Sequence, residues 1–104
     1  MIDIKIFIKP KNFSMRIVGH AAYNPGNDII CAAVSTISQT FQRLYSEMGY
    51  SGTEDSGYSE VNGELTDDIK PLLKFAITGY EGLANAYPDN VSLSIADEDK
   101  VLYK

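Results

Sequence analysis

Ile2, Ile4, Ile6 and Ile8 alternate with Asp3, Lys5, Phe7 and Lys9. A period of two held over so many residues commits the start of the chain to a strand with one buried face. Lys9-Pro10-Lys11-Asn12 supplies a turn, and a second run follows from Phe13 to His20. There Phe13, Met15 and Ile17 share one face, while Ser14, Arg16, Val18 and His20 share the other. A β-hairpin is the economical reading, with His20 at the far end of its second strand.

Ala21 to Asn27 reads as a short loop containing the turn signal Asn24-Pro25-Gly26-Asn27. Asp28 then stands where an N-cap belongs, ahead of a helix expected to run to about Met48 with Gly49 as its stop. Ile30, Val34, Ile37, Phe41, Leu44 and Met48 carry its helical spacing. Tyr50 to Gly63, rich in Ser, Gly and acids, is expected to be a mobile loop, with a short strand near Tyr58 to Val61 ahead of an Asn62-Gly63 turn. A second helix is expected from Asp67 or Asp68, with Pro71 in its opening turn, where a missing amide proton costs little. Ile69, Leu72, Leu73, Ala76, Ile77, Tyr80, Leu83, Ala84 and Tyr87 form its apolar stripe. Val91, Leu93 and Ile95 alternate with serines as a final strand. No repeat or linker divides the chain, so residues 1–104 are expected to form one domain. The expected class is α+β: a small, mostly antiparallel sheet, made of the N-terminal hairpin and a C-terminal strand, packed with two helices.

Charge narrows the function. A net charge of −5 with nine scattered basic residues disfavours direct nucleic-acid binding, which needs clustered Lys and Arg to displace counterions. The most apolar stretch, Ile29 to Ile37, falls far short of the ~20 residues of a membrane span, and the start of the chain lacks the continuous apolar run of a secretory signal. One Cys and one His give neither an internal disulfide nor an ordinary metal site. The chain therefore reads as cytoplasmic, with no metal, no cofactor and no membrane partner expected.

That single Cys and single His lie eleven residues apart, at Cys31 and His20. With Asp28 as cap, Cys31 is the third helical residue, among amide protons that no carbonyl takes and at the positive end of the helix dipole. Such a place lowers a thiol pKa from about 8.5 toward neutrality, and the thiolate is the reactive form. His20 needs only a compact loop to come beside it and exchange protons with it. The plain alternative is a small core cysteine and a satisfied histidine, in a non-enzymatic assembly or interaction protein whose thiol is buried and inert. Asp28 has two readings, a helix cap or a third member that orients His20, and the cap accounts for the position fully. Ser35, one turn beyond Cys31, either bonds near the thiol or bonds back to the carbonyl four residues earlier. Glu54-Asp55, Glu60 and Glu64 read as a solvated acidic segment. Tyr58, Tyr80 and Tyr87 are candidates for lining a groove, though core packing explains the last two as well.

Gly19-His20-Ala21 followed by Asp28-Ile29-Ile30-Cys31-Ala32-Ala33-Val34-Ser35 resembles the signature of the Prp family of ribosomal-processing cysteine proteases. A weaker likeness continues through Leu65 to Tyr87 and the Tyr87-Pro88 before the last strand. The resemblance implies an α+β homodimer with His20 as catalytic histidine and Cys31 as nucleophile. Gly19, Ala21, Gly26, Asp28 and Ser35 match its other motif positions. It also implies a substrate, the precursor of the twenty-seventh large-subunit ribosomal protein, trimmed after a hydrophobic N-terminal extension that ends in paired phenylalanines. The loop between His20 and Cys31 is one residue shorter than the family pattern and carries Pro25 before Gly26.

Overall fold

The N-terminal alternation becomes strand β1, Ile2–Ile8, whose four isoleucines are all at most 2% exposed. In this computed structural model, which describes residues 1–19, 29–50, 53–55 and 58–102, β2 (Asn12–Gly19) pairs antiparallel with β1 and sets Phe13, Met15 and Ile17 against the same core. Helix α1 spans Ile29–Glu47, β3 Thr53–Asp55, β4 Tyr58–Glu64, α2 Ile69–Ala86 and β5 Val91–Asp97. The sheet order is β3-β4-β2-β1-β5. Every pairing is antiparallel except β1 with β5, so the α+β class and the mostly antiparallel sheet stand as expected. The parallel pairing follows from α2, which carries the chain back along the sheet before β5 begins. Both helices cover one face. The other face presents Asp3, Lys5, Phe7, Arg16, Asn62, Ser92 and Ser94 to solvent, as a largely antiparallel sheet tolerates.

α1 ends where expected, and the reason is local. Gly49 takes φ +98, its N–H donates to Ser46 O at 3.0 Å, and the Tyr50 N–H donates to Tyr45 O at 3.1 Å. This is a Schellman ending, in which a left-handed residue closes the last carbonyls, and its usual apolar contact is the Tyr45–Tyr50 stack at 4.7 Å. Tyr45 also meets Phe13 edge-on at 5.6 Å and stacks on Phe41 at 5.7 Å. These rings pin the C-terminal end of α1 to the sheet. Burial raises the Tyr45 phenol above its ordinary pKa, with Tyr50 and Glu64 adding to the effect.

The apolar repeat of α1 is buried only in part: Leu44 and Met48 are 40% and 39% exposed, while Ser38 and Tyr45 take inward positions. Ser38 is tolerated there because its hydroxyl bonds Val34 O at 2.9 Å and the Tyr80 hydroxyl at 2.9 Å, so no polar atom is stranded. The expected strand near Tyr58 to Val61 is present and runs on to Glu64, Thr53–Asp55 of the expected loop form a further strand, and Asn62-Gly63 is no turn. β4 runs through both residues, pairing Asn62 with Ser14 and Gly63 with Phe13. Gly63 is needed for packing, since a Cβ there would lie 1.6 Å from the Tyr45 hydroxyl oxygen.

Pro71 is the third residue of α2, in the opening turn as predicted. Asp68 is the cap position but makes no side-chain capping bond. The first turn is instead closed by Thr66, whose carbonyl accepts from Ile69 and Lys70 at 3.1 and 3.2 Å.

Candidate active site

The site is assembled where β2 ends and α1 begins. β2 stops at Gly19, which adopts φ +103. A Cβ on Gly19 would stand 2.3 Å from the Met1 carbonyl oxygen, so only glycine lets the chain turn out of the sheet against the start of β1. The next residue is His20. His20, Ala21, Gly26 and Asp28 lie outside the described residues, as do the side chain of Tyr58 and those of Glu54 and Asp55.

Cys31 is the third residue of α1 and forms no disulfide. It is half-buried and packs against the edge of the core. Its position among first-turn amide groups, with no acidic residue in that turn, gives an anionic sulfur a favourable field. Ile30 behind it is buried, whereas Ile29 ahead of it is 61% exposed. The helix start thus holds one apolar anchor inward and one apolar side chain exposed to solvent.

Cys31, Ser35, Ser38 and Gln42 repeat at helical spacing and form a polar stripe next to the apolar one. Ser35 is exposed. Back-bonds to the carbonyl four residues earlier are made by its neighbours, Thr36 to Ala32 O at 2.8 Å and Ser38 to Val34 O. Gln42 donates through Nε2 to the Ser59 hydroxyl of β4 at 2.6 Å. That bond ties the Cys31-bearing side of α1 to the β4 side of the sheet. It was missed in the sequence, although the 31-35-38-42 spacing was the available signal.

Tyr80 belongs to the core, fully buried with its hydroxyl on Ser38, and Tyr87 is half-buried against that core. Glu60 and Glu64 stand on the outer side of β4, in register with Arg16 and Asn12, and form no paired-carboxylate site. An open groove of about 830 Å³ lined by Phe7, Lys9, Lys11, Ser14 and Glu64 lies at the opposite end of the sheet from Gly19, so it is not part of this site. Among the described residues no group of three or more His, Cys, Asp or Glu side chains is placed to hold a metal. No described helix is long and apolar enough to cross a membrane.

The family model for Cysteine protease Prp matches residues 1–92. The chain belongs to that family. It is a cysteine protease, and the half-exposed Cys31 at a helix start suits that chemistry better than the buried, inert thiol of a purely structural protein. No curated protein matches the chain by sequence. Among solved structures, the essential ribosomal processing protease Prp of S. aureus, with a covalently linked product peptide, superposes with a TM-score of 0.79 at 19% identity, over 91% of this chain and 99% of that one. The same S. aureus protein with a substrate peptide gives a TM-score of 0.76 at 18% identity, over 91% and 99% of the two chains. SMU.848 of Streptococcus mutans gives 0.72 at 24% identity, over 92% and 94%. At these identities the superpositions establish the shared fold.

Proposed function

We propose that this chain is an endopeptidase that removes the hydrophobic N-terminal extension of a ribosomal protein precursor, the twenty-seventh of the large subunit, in the cytoplasm where ribosomes assemble. One observation carries the assignment of the nucleophile. A cysteine protease with a single cysteine has only one residue for the role, and Cys31 occupies the first turn of α1 half-exposed. The S. aureus protein of the same fold, described as a ribosomal processing protease, supports the substrate class.

In the proposed reaction the Cys31 thiolate attacks the scissile carbonyl carbon. The negative charge passes to the carbonyl oxygen, and the first-turn amide protons of α1, which lack intrahelical acceptors, are suited to stabilise it. His20, holding the thiol proton, gives it to the amine as the C–N bond breaks, leaving a thioester on Cys31. Water then loses a proton to His20, adds to the thioester and releases the extension with a free carboxyl group. Thiol and imidazole return to their starting forms. Gly19 and Ala21 frame His20, Gly26 and Asp28 lead into α1, and Ser35 follows Cys31 on the helix. Asp28 serves as cap or as the group that orients His20.

Incubation with a peptide spanning the extension junction tests the reading. Mass spectrometry is expected to find two products split after the hydrophobic segment, and an intact peptide under conditions where the thiol alkylates normally would end it.

A homodimer belongs to the same reading. Phe75 on α2 is 69% exposed, and Leu44 and Met48 on α1 are exposed too, an apolar supply that favours a helix-mediated contact. Light scattering at micromolar concentration is expected to give twice the 11.5 kDa of one chain. A mass of one chain would contradict it.

A further inference from the structure

The two edges of the sheet are unequal. β3 closes one edge with three residues, whereas β5 leaves seven, Val91–Asp97, along the other. The phase of the β1–β5 ladder says which groups of β5 remain available. The Ile2 N–H donates to Asn90 O at 2.9 Å, and Ile2 is in register with Val91. A parallel ladder in that phase turns the N–H and C=O of Ser92, Ser94 and Ala96 toward β1, and those of Val91, Leu93, Ile95 and Asp97 outward. The ends of this outward row are already used, the Val91 N–H by Tyr87 O and the Asp97 C=O by the Lys100 N–H, both at 3.0 Å. Leu93 and Ile95 between them present their N–H and C=O pairs away from the sheet.

β5 carries no proline, and the single charge on its core side, Asp97, stands at the very end of the strand, so Ser92 to Ala96 lack the usual protection of an edge. Its outer side chains are Ser92, Ser94 and Ala96, all small, and Leu93 and Ile95 on the core side are only half-buried. Charge then selects the occupant. Asp89 stands before the strand, Asp97, Glu98 and Asp99 close it, and Asp3 of β1 lies in register with Ser92, against Lys100 on the same turn, Lys5 of β1 in register with Ser94, and Lys9 just beyond β1. The Asp97 carboxylate is engaged by the Val101 and Leu102 amides at 2.8 and 3.0 Å, while Glu98 and Asp99 are exposed. A second copy paired antiparallel about Ser94 would set Asp97, Glu98 and Asp99 opposite Val91, Asn90 and Asp89 on both sides, lining the seam with like charge. A cationic strand meets no such repulsion.

We infer that the β5 edge is a docking site for an extended, lysine- or arginine-bearing polypeptide segment, which adds as a sixth strand through the backbone of Leu93 and Ile95 while Glu98, Asp99 and Asp89 select its charge. The surface lies at the opposite edge of the sheet from β3 and β4, the side toward which the Cys31 stripe faces. It would hold a basic protein chain without entering the thiol site, whichever protein is processed there.

The experiment is an amide-resolved NMR titration of the full chain with a capped seven-residue peptide alternating lysine and valine, and with its glutamate counterpart. Binding of the lysine peptide is expected to shift and protect the Leu93 and Ile95 amides, to weaken with salt, and to exceed that of the glutamate peptide at least ten-fold. Glu98→Lys with Asp99→Lys, both exposed and outside the ladder, is expected to cost the lysine peptide at least ten-fold in affinity. Leu93→Pro removes one outward N–H without touching the bonds to β1 and is expected to weaken it similarly. Shifts confined to the Cys31 end, equal affinity for the two peptides, or Leu93 and Ile95 amides already protected by self-association would each overturn the proposal.

Discussion

Cys31→Ala is expected to abolish peptide cleavage, at least a thousand-fold, while the protein stays folded. The chain has no second thiol to take over the attack, and the thioester step has no counterpart in a methyl group. Stability should change little. The side chain is half-buried at the edge of the core, and its truncation removes one atom from a place already open to water. A loss of about 1 kcal/mol or less is the ordinary range for such a change. Cys31→Ser should behave alike, because a hydroxyl at that position is a far weaker nucleophile at neutral pH. Cleavage assays and thermal melts on the same preparations decide the matter. Wild-type turnover by the alanine variant, with its fold intact, would remove Cys31 from the mechanism. Peptide affinity for the alanine variant should remain near that of the wild type, and removing His20 as well should leave it so, since a proton-transfer group contributes to rate more than to binding.

Sequence patterns foretold the parts of this fold that are decided by neighbours in sequence. The Ile2-to-Ile8 alternation is a buried face because a strand has period two, and Gly49 stops α1 because the left-handed ending is built within six residues. The third-residue position of Cys31 was legible for the same reason. What stayed hidden was decided across the sheet. β4 is poor in β-branched residues, and its Asn62-Gly63 imitates a turn. The glycine is there to receive the Tyr45 hydroxyl, a contact eighteen positions away in sequence. The buried place of Ser38 depends on Tyr80 of the other helix, forty-two positions away, which supplies its partner. Gly19 was visible as a motif position, but the Met1 carbonyl that demands it stands just ahead of the paired strand. The proposed catalytic pair was legible only in part. Chain order puts His20 directly after β2 and Cys31 at the head of α1, whereas the distance between them depends on residues 20–28, outside the described structure.

Gly19→Ala is expected to damage both stability and activity, and comparison with Gly63→Ala separates the two effects. At Gly19 a methyl group meets the Met1 carbonyl oxygen at 2.3 Å, and the backbone holds φ +103, where an L side chain is strained whatever the space around it. Strain of ~1–3 kcal/mol joins a clash that only movement of β1 or of the chain leaving β2 relieves. At Gly63 the methyl group meets the end of the Tyr45 ring, which is locked by Phe13, Phe41 and Tyr50, so overpacking there costs ~1–3 kcal/mol as well. Each variant should therefore melt several degrees lower, roughly 4–8 °C per kcal/mol in a domain of this size. Their consequences for chemistry differ. Gly63 lies at the end of the sheet away from Cys31, paired with Phe13, and a protein that is still folded should cleave its peptide at close to the normal rate. Gly19 delivers the chain to His20, so relief of its clash displaces the histidine relative to Cys31. A near-attack geometry tolerates little displacement, with 1 Å worth about a hundred-fold in rate. The measurement is kcat for both variants at a temperature well below either melting point, with thiol alkylation run in parallel. Expected are a near-normal kcat for Gly63→Ala and a loss of about a hundred-fold for Gly19→Ala with Cys31 still alkylated. Equal activity in the two folded variants would show that Gly19 matters only for folding, and that the end of β2 does not position the histidine.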